Sequence, residues 1–339
     1  MEAKITSLLL AHRDFKTICL EDPDRGMHPH MIERLKTVLY INGFDKTIIV
    51  VTHSPYFVDT ITIRKTHVFF KPKSPSDPYV CSVINAGKSE DLSYVNDMDT
   101  LRSLLLASKV LLVEGATDRE VVQAIFTHIK SENLEKACKQ GISTLDADIT
   151  TYQIIPIGGC KNFPKVINFC EFINLPCLCL IDLDYFVEVK DNKIVKFLPN
   201  WYETLTNGKE LEGIYLNKEL STFLEGDFDK LSSSLEKKKQ FVWKGDLEHA
   251  ILSSKELHVE ISSCLGNIFD TSQNDDQKAK KLKKELKSCL SYEERTAFSS
   301  LLMKVKEIDR FINFLKKVTK ARTMMGNTEP EIPDRQGNK

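Results

Sequence analysis

No two cysteines in this chain form a CxxC pair, although there are nine of them. Their spacing is irregular, Cys177 and Cys179 stand two apart, and Cys19, Cys170 and Cys179 lie inside apolar runs. That usage argues against a zinc site or a disulfide framework and reads as reduced, buried thiols. No apolar run reaches the roughly 18 residues needed to span a bilayer. The opening stretch, MEAKITSLLLAHRDFK, lacks the long apolar core and cleavage site of a secretory signal. An intracellular location is expected, cytoplasmic or nuclear, with no membrane partner. Excess charge is also missing: 47 Lys and Arg against 48 Asp and Glu leave a net charge of -1. This counts against a uniformly basic nucleic-acid binder. It leaves room for a local basic patch, which an acidic site elsewhere would mask in the sum.

What is present is globular composition, 42% hydrophobic and 28% charged, in a chain of 339 residues that is long enough for two domains and a small helical tail. Residues 16–22 (KTICLED) read as a short buried strand ending in acids. A turn follows from Pro23 to Pro29, then a helix over 30–41 ended by Asn42-Gly43. Residues 47–52 (TIIVVT) are continuous and β-branched, which predicts a parallel strand covered on both faces. Strands are expected at 66–70 and 79–84, around a Pro-rich turn. A polar stretch then places a domain boundary near 88–104.

A second α/β series begins there. Residues 109–113 (KVLLV) form a strand and Glu114-Gly115 its turn, and Asp118 to Lys130 form a helix. Residues 152–157 make the next strand, ended by Gly158-Gly159. Residues 163–173 are helical, 177–182 (CLCLID) are a third strand, and 240–243 a fourth. Strands alternating with helices specify a parallel sheet, and such sheets bind ligands at the carboxyl ends of their strands. From about 250 the pattern is helical, with an amphipathic helix or helix pair over 292–320. The polar stretch after Gly326 reads as a loose tail.

Acids gather at the predicted strand ends. Glu114 and Asp118 flank the first turn, Asp182 and Asp184 follow the third strand, and Asp246 and Glu248 follow the fourth. Carboxylates this close repel unless a cation offsets them. An oxygen-only donor set suits Mg²⁺ or Mn²⁺ better than zinc. Taken singly, each acid pair is more often a solvated strand end. Their shared order and shared sheet raise the joint reading above that.

The stretch 110–119 (VLLVEGATDR), followed by Asp182-Leu183-Asp184, resembles a Toprim domain, the metal-dependent domain of topoisomerases, primases and some nucleases. Together with Phe241–Glu248 (FVWKGDLE) and the Gly158-Gly159 turn before Asn162-Phe163, it resembles more closely the OLD (overcoming lysogenization defect) family of ATP-linked nucleases. In that family an ABC-type ATPase segment precedes the Toprim domain. The resemblance implies a Toprim nuclease domain over 105–255, a helical C-terminal region over 256–325 and a loose tail over 326–339. It implies that Glu114 holds metal or moves protons and that Asp118 supports a second metal. Asp182 and Asp184 become the principal ligands, and Asp246 and Glu248 complete the second site. A basic residue is expected at the transition-state phosphate, with Lys244 nearest the motif and Lys161, Lys304 and Lys306 as other candidates. Lys237–Lys239 and the run from Lys278 to Lys287 are candidates for a track along a phosphate backbone.

Residues 1–88 resemble part of an ABC-type ATPase. ICLEDPDRGMHP (18–29) resembles the acidic strand end and following loop, and VVTHSP (50–55) the switch histidine. Here Glu21 precedes Asp22, the reverse of the usual order, and no GxxxxGK[ST] phosphate loop occurs in the sequence. Glu21, Asp22 and His53 are therefore expected to form a degenerate nucleotide site, with no ATP hydrolysis by this chain alone. A homodimer or a partner covering the incomplete ATPase face is expected. The leading expectation is Mg²⁺-dependent endonuclease or nicking activity on DNA. The alternative is a non-catalytic, regulatory protein associated with nucleic acid. Strand transfer or polymerisation is a third and weaker reading; its topoisomerase version needs a separate nucleophilic tyrosine domain, and Tyr185, beside the DLD motif, is expected to pack or line the cleft.

Overall fold

The computed structural model describes residues 10–12, 14–42, 45–59, 61–70, 80–83, 98–140, 149–270, 272–288 and 290–326. The expected boundary near 88–104 lies partly outside the described residues, and the tail 327–339 lies wholly outside them. The chain divides into two compact units, one of residues 1–108 with 164–176 and one of 109–163 with 177–339.

In the first unit, β1 (Thr17–Glu21) and β2 (Thr47–Val51) pair in parallel, with Glu21 opposite Val51. Helix α1 (Pro29–Asn42) supplies Ile32, Leu35 and Leu39 to a small core with Ile18, Leu20 and Phe57. Strand β2 departs from its expected environment. It alternates rather than being covered on both faces, and Ile49 and Val51 stay 48% and 58% exposed. A continuous apolar run specifies a strand but does not specify how many layers flank it. β3 (His67–Phe70) and β4 (Val80–Val83) pair antiparallel, and α2 (Met98–Leu106) follows.

The second unit is built on a four-stranded sheet, all parallel, in the order β10-β7-β5-β6. The strands are β5 (Val110–Val113), β6 (Gln153–Pro156), β7 (Cys177–Ile181) and β10 (Gln240–Val242). Every residue of β5 is fully buried, as a central parallel strand of Val and Leu should be. Helix α3 (Ala116–Gln140) follows β5 and runs ten residues past its expected end at Lys130. Its extension is rich in helix formers and carries Glu132–Lys136 and Glu135–Lys139 pairs at i,i+4. Helix α4 (Phe163–Phe172) lies between β6 and β7 in the chain.

An excursion separates β7 from β10. Strands β8 (Val187–Lys190) and β9 (Lys193–Phe197) form a hairpin whose two turn residues, Asp191 and Asn192, both have positive φ. Helices α5 (Pro199–Thr204), α6 (Gly208–Tyr215), α7 (Leu220–Gly226) and α8 (Phe228–Lys237) follow around the edge-on aromatic rings of Trp201, Phe223 and Phe228.

After β10 come α9 (Leu247–Leu252), α10 (His258–Cys264), α11 (Asp275–Lys287), α12 (Tyr292–Leu302) and α13 (Lys306–Gly326). They share one core with the sheet. Leu282, Phe298 and Phe311 cluster with Leu111, Leu180 and Phe241. The expected helix over 292–320 is a pair, and α11 and α12 each start with a full capping box, Asn274/Gln277 and Ser291/Glu294. Arg310 on α13 lies 4.1 Å from the Phe241 ring centroid and donates to the Val242 carbonyl, tying the last helix to β10. Among the described residues, no helix is long and apolar enough to cross a membrane.

Candidate active site

Because β10, β7 and β5 are adjacent and parallel, their carboxyl ends open on one rim. Glu114 follows β5 directly, Asp182 follows β7, and Asp246 lies just past β10. Carboxylate oxygens of Glu114, Asp182 and Asp184 all lie within 4.8 Å of one another.

Backbone hydrogen bonds hold these loops. The N–H groups of Gly158 and Gly159 both donate to the Glu114 carbonyl, at 3.1 Å each. Gly159 has φ 124°, a conformation that a side chain strongly disfavours, so glycine is what allows the turn to close on Glu114. The Asn162 amide donates to the Ile157 carbonyl at 2.8 Å and braces the same turn. Leu183 N–H donates to the Gly245 carbonyl at 2.8 Å, joining the loop after β7 to the loop after β10. The Asp118 Oδ2 accepts from Gly115 N–H at 3.0 Å, so this acid closes the first turn of α3 as well as facing the cluster.

The electrostatics are those of a crowded acidic site that Lys283 offsets only in part. Burial, then the charges of Asp184 and Asp118, push the Glu114 carboxyl up to about 7. Asp182 is only 8% exposed, and burial, followed by Asp118, Asp184 and Glu114, raises it well above the carboxylate range. Burial also raises Asp184, with Asp246 next, and burial raises Asp118. Glu114 Oε2 and Asp182 Oδ1 are buried with no hydrogen-bond partner among the described residues. Buried, unpaired carboxylate oxygens are costly, and a cation between them removes the cost. The donor set is oxygen alone, which fits a hard divalent ion.

A second group adjoins the first. Asp246 caps α9, accepting from His249 N–H at 2.8 Å. The His249 ring bridges Asp246 Oδ1 at 2.7 Å and Asp276 Oδ1 at 3.0 Å. Its pKa rises to about 9, mainly through the Asp246 hydrogen bond. Burial works against the Asp246 charge, yet the bonds from His249 hold its carboxyl below the ordinary value. Glu248 is 3% exposed and raised by burial and by Asp246. Lys283 Nζ, on α11, stands 3.5 Å from Glu248 Oε1. Burial disfavours the Lys283 charge, but Glu248, Asp246 and Asp182 outweigh it and raise its pKa.

The structure thus gathers Glu114, Asp182 and Asp184 tightly, and places Asp118, Asp246 and Glu248 within their electrostatic reach. Lys244 instead lies over the Phe228 ring, 5.3 Å from its centroid. Lys304 pairs with Glu260 at 3.2 Å. Lys161 sits exposed in the turn after Gly159, and Lys306 begins α13. Tyr185 packs edge-on against Phe163 and Phe186. Lys283 and His249 are the site residues that sequence reasoning missed. The apolar positions 279, 282 and 286 of α11 place Lys283 beside the buried stripe, a signal that was readable. In the first unit, Glu21 ends β1, Asp22 N–H donates to the Val51 carbonyl at 2.8 Å, and exposed His53 lies two residues past β2. The three stand at one end of the β1–β2 pair.

Two family models match stretches of this chain. Residues 105–184 match the family "Overcoming lysogenization defect protein-like, TOPRIM domain", and residues 3–59 match "AAA domain, putative AbiEii toxin, Type IV TA system". An uncharacterized protein of Methanocaldococcus jannaschii is 31% identical over 104 residues, 30% of this chain and 13% of that protein's length. The chain thus matches a small part of that relative. Among solved structures, the C-terminal region of the Burkholderia pseudomallei OLD protein aligns with 64% of this chain and 98% of its own, at 17% identity and a TM-score of 0.36. An AAA-type match followed by an OLD-like Toprim match fits the domain order of the overcoming lysogenization defect family.

Proposed function

We propose that the chain cleaves the phosphodiester backbone of DNA in a Mg²⁺- or Mn²⁺-dependent reaction at the acidic rim of its Toprim domain. The observation that carries this reading is the convergence of Glu114, Asp182 and Asp184 to within 4.8 Å, with two of their buried oxygens left without partners. Asp182 and Asp184, with Glu114, are the residues to hold the first cation, and Asp118, Asp246 and Glu248 the residues to hold a second. A bound divalent ion supplies Lewis acidity toward the scissile phosphate and a water that ionises near neutral pH.

The remaining chemistry belongs to the chain. Glu114, whose carboxyl sits at about 7 without a cation, would be ionised as a ligand once one is bound, and gives up its proton on metal uptake. Lys283, rather than Lys244, is the cation placed to face negative charge that develops on the phosphate. Lys280, Lys284 and Lys287 lie exposed on α11 at i, i+4 and i+7, next to Lys283. That stripe suits a phosphate backbone led toward the rim, without base readout.

The test is nicking of supercoiled plasmid and cleavage of labelled single-stranded DNA with Mg²⁺, Mn²⁺ or EDTA, beside an Asp182→Ala/Asp184→Ala variant. Metal-dependent nicking that the variant loses is the expected result. A folded wild type that binds metal and leaves both substrates intact would exclude cleavage by this chain alone.

A further inference from the structure

We propose that His249 is a positioning residue: by bridging Asp246 and Asp276 it holds the Asp246 carboxylate in the orientation that a divalent cation at the acidic rim requires. The proposal rests on the metal-dependent reading above, and it assigns a role to residues outside the acidic motifs. Both hydrogen bonds that Asp246 accepts fall on the same atom, Oδ1, from His249 N–H at 2.8 Å and from the ring Nδ1 at 2.7 Å. Oδ2 is thereby left as the oxygen for a cation. A carboxylate capped only by a backbone N–H can still swing about its χ2 torsion, whereas one gripped from two directions at one oxygen cannot.

The ring is fixed in turn from its far edge. Its Nε2 lies 3.0 Å from Asp276 Oδ1, in the first turn of α11, whose start is set by the Asn274/Gln277 capping box. Seven residues along the same helix, Lys283 reaches Glu248. Asp276 and Lys283 therefore fasten α11 to α9 at two points, one beside each acid of the Asp246/Glu248 pair. Stability alone does not account for the bridge. The side chains of His249, Asp246 and Asp276 are 38%, 36% and 76% exposed, and ion pairs that open to water contribute little to folding.

Two near-isosteric substitutions separate the contacts. In His249→Asn the amide nitrogen falls near the place of Nδ1 and keeps the bond to Asp246. In His249→Gln it falls near Nε2 and keeps only the reach toward Asp276. Mn²⁺ affinity of the full chain is measured by calorimetry for wild type, His249→Asn, His249→Gln, Asp276→Ala and an Asp182→Ala control, with a thermal midpoint for each. The expected result is a loss on the order of 10-fold for His249→Gln at an unmoved midpoint. Affinity near wild type is expected for His249→Asn, and a smaller loss for Asp276→Ala. Wild-type affinity in His249→Gln overturns the proposal, and so do equal losses in both His249 variants that track a lowered midpoint. If wild type takes up no Mn²⁺, the metal-dependent reading fails along with this one. If wild type binds and Asp182→Ala does not, while every His249 variant matches wild type, this inference fails alone.

Discussion

Glu114 is asked to be two things, a metal ligand that must be ionised and a group that holds a proton near neutrality. Burial and the nearby Asp184 and Asp118 hold its carboxyl at about 7 in the metal-free protein, and a bound cation would ionise it, so the two states alternate with metal occupancy. A cation must displace whatever protons its ligands carry. Mn²⁺ affinity is therefore expected to climb with pH below about 7 and to flatten above it as Glu114 ionises. Calorimetry in buffers of different ionisation enthalpy counts the protons released. Glu114→Gln should remove the part of the pH dependence centred near 7 and weaken binding. An affinity that stays flat from pH 5.5 to 8 would contradict the raised carboxyl. Gly159 acts one bond further out. A Cβ there meets nothing within 4 Å, so Gly159→Ala introduces backbone strain without a clash. At φ 124° that strain is expected to cost about 1–3 kcal/mol. It should show in urea unfolding and in weaker Mn²⁺ binding, because the strained turn holds the Glu114 carbonyl.

Among the elements, α11 ties the acidic rim to an expected substrate path. The triple variant Lys280→Glu/Lys284→Glu/Lys287→Glu leaves the apolar stripe of Ala279, Leu282 and Leu286 untouched, so folding and Mn²⁺ uptake should persist. DNA binding in Ca²⁺ or without metal should weaken. Its dependence on log salt should become shallower by roughly 0.9 for each duplex phosphate that is no longer neutralised. An unchanged salt slope would make the stripe a solvated helix face and nothing more. How well each element could be read from the sequence follows the same physics. The strands β5 and β7 were legible because full burial on both faces demands unbroken apolar residues, and the acids at their ends were legible because charge cannot sit inside them. Strand β2 carries an equally apolar run yet has an open face, since its residues record strand propensity and say nothing about the neighbouring layer. The β8–β9 hairpin went unassigned although Asp191-Asn192 is turn-forming, because its strands alternate too briefly around charged residues to stand out. Lys283 stands among identical neighbours; the apolar stripe of α11 marks it as lying at the edge of the buried face, and the placement of α11 against Glu248 gives it its partner.

At the scale of the molecule, the acidic rim sets binding against folding. The raised pKa of Glu114, from 4.5 to about 7, means that the folded state binds this proton more tightly than the unfolded chain does. The associated stability is fully present below about 4.5 and is lost as the pH rises through about 7. Asp182, Asp184, Asp118, Glu248 and His249 are shifted in the same direction and add to that loss, while Asp246, held low by His249, is ionised in both states throughout this range and leaves it unchanged. Metal-free protein should therefore unfold at a lower temperature at pH 8 than at pH 5.5. Mn²⁺ at about 100 times its dissociation constant should restore about 2.7 kcal/mol. The Asp182→Ala/Asp184→Ala variant removes two of the repelling acids from a site that they cannot relieve by themselves. It is expected to melt higher than metal-free wild type at pH 8, to lose most of the pH dependence between 5.5 and 8, and to gain nothing from Mn²⁺. A site whose ligands weaken the fold until they are occupied is what an unpartnered, buried carboxylate cluster implies, and substitutions that stabilise the protein while abolishing its chemistry are the measurable mark of it. If the variant melts below metal-free wild type at pH 8, the acids are held by the fold rather than strained by it, and the case for an absent cation loses its energetic support.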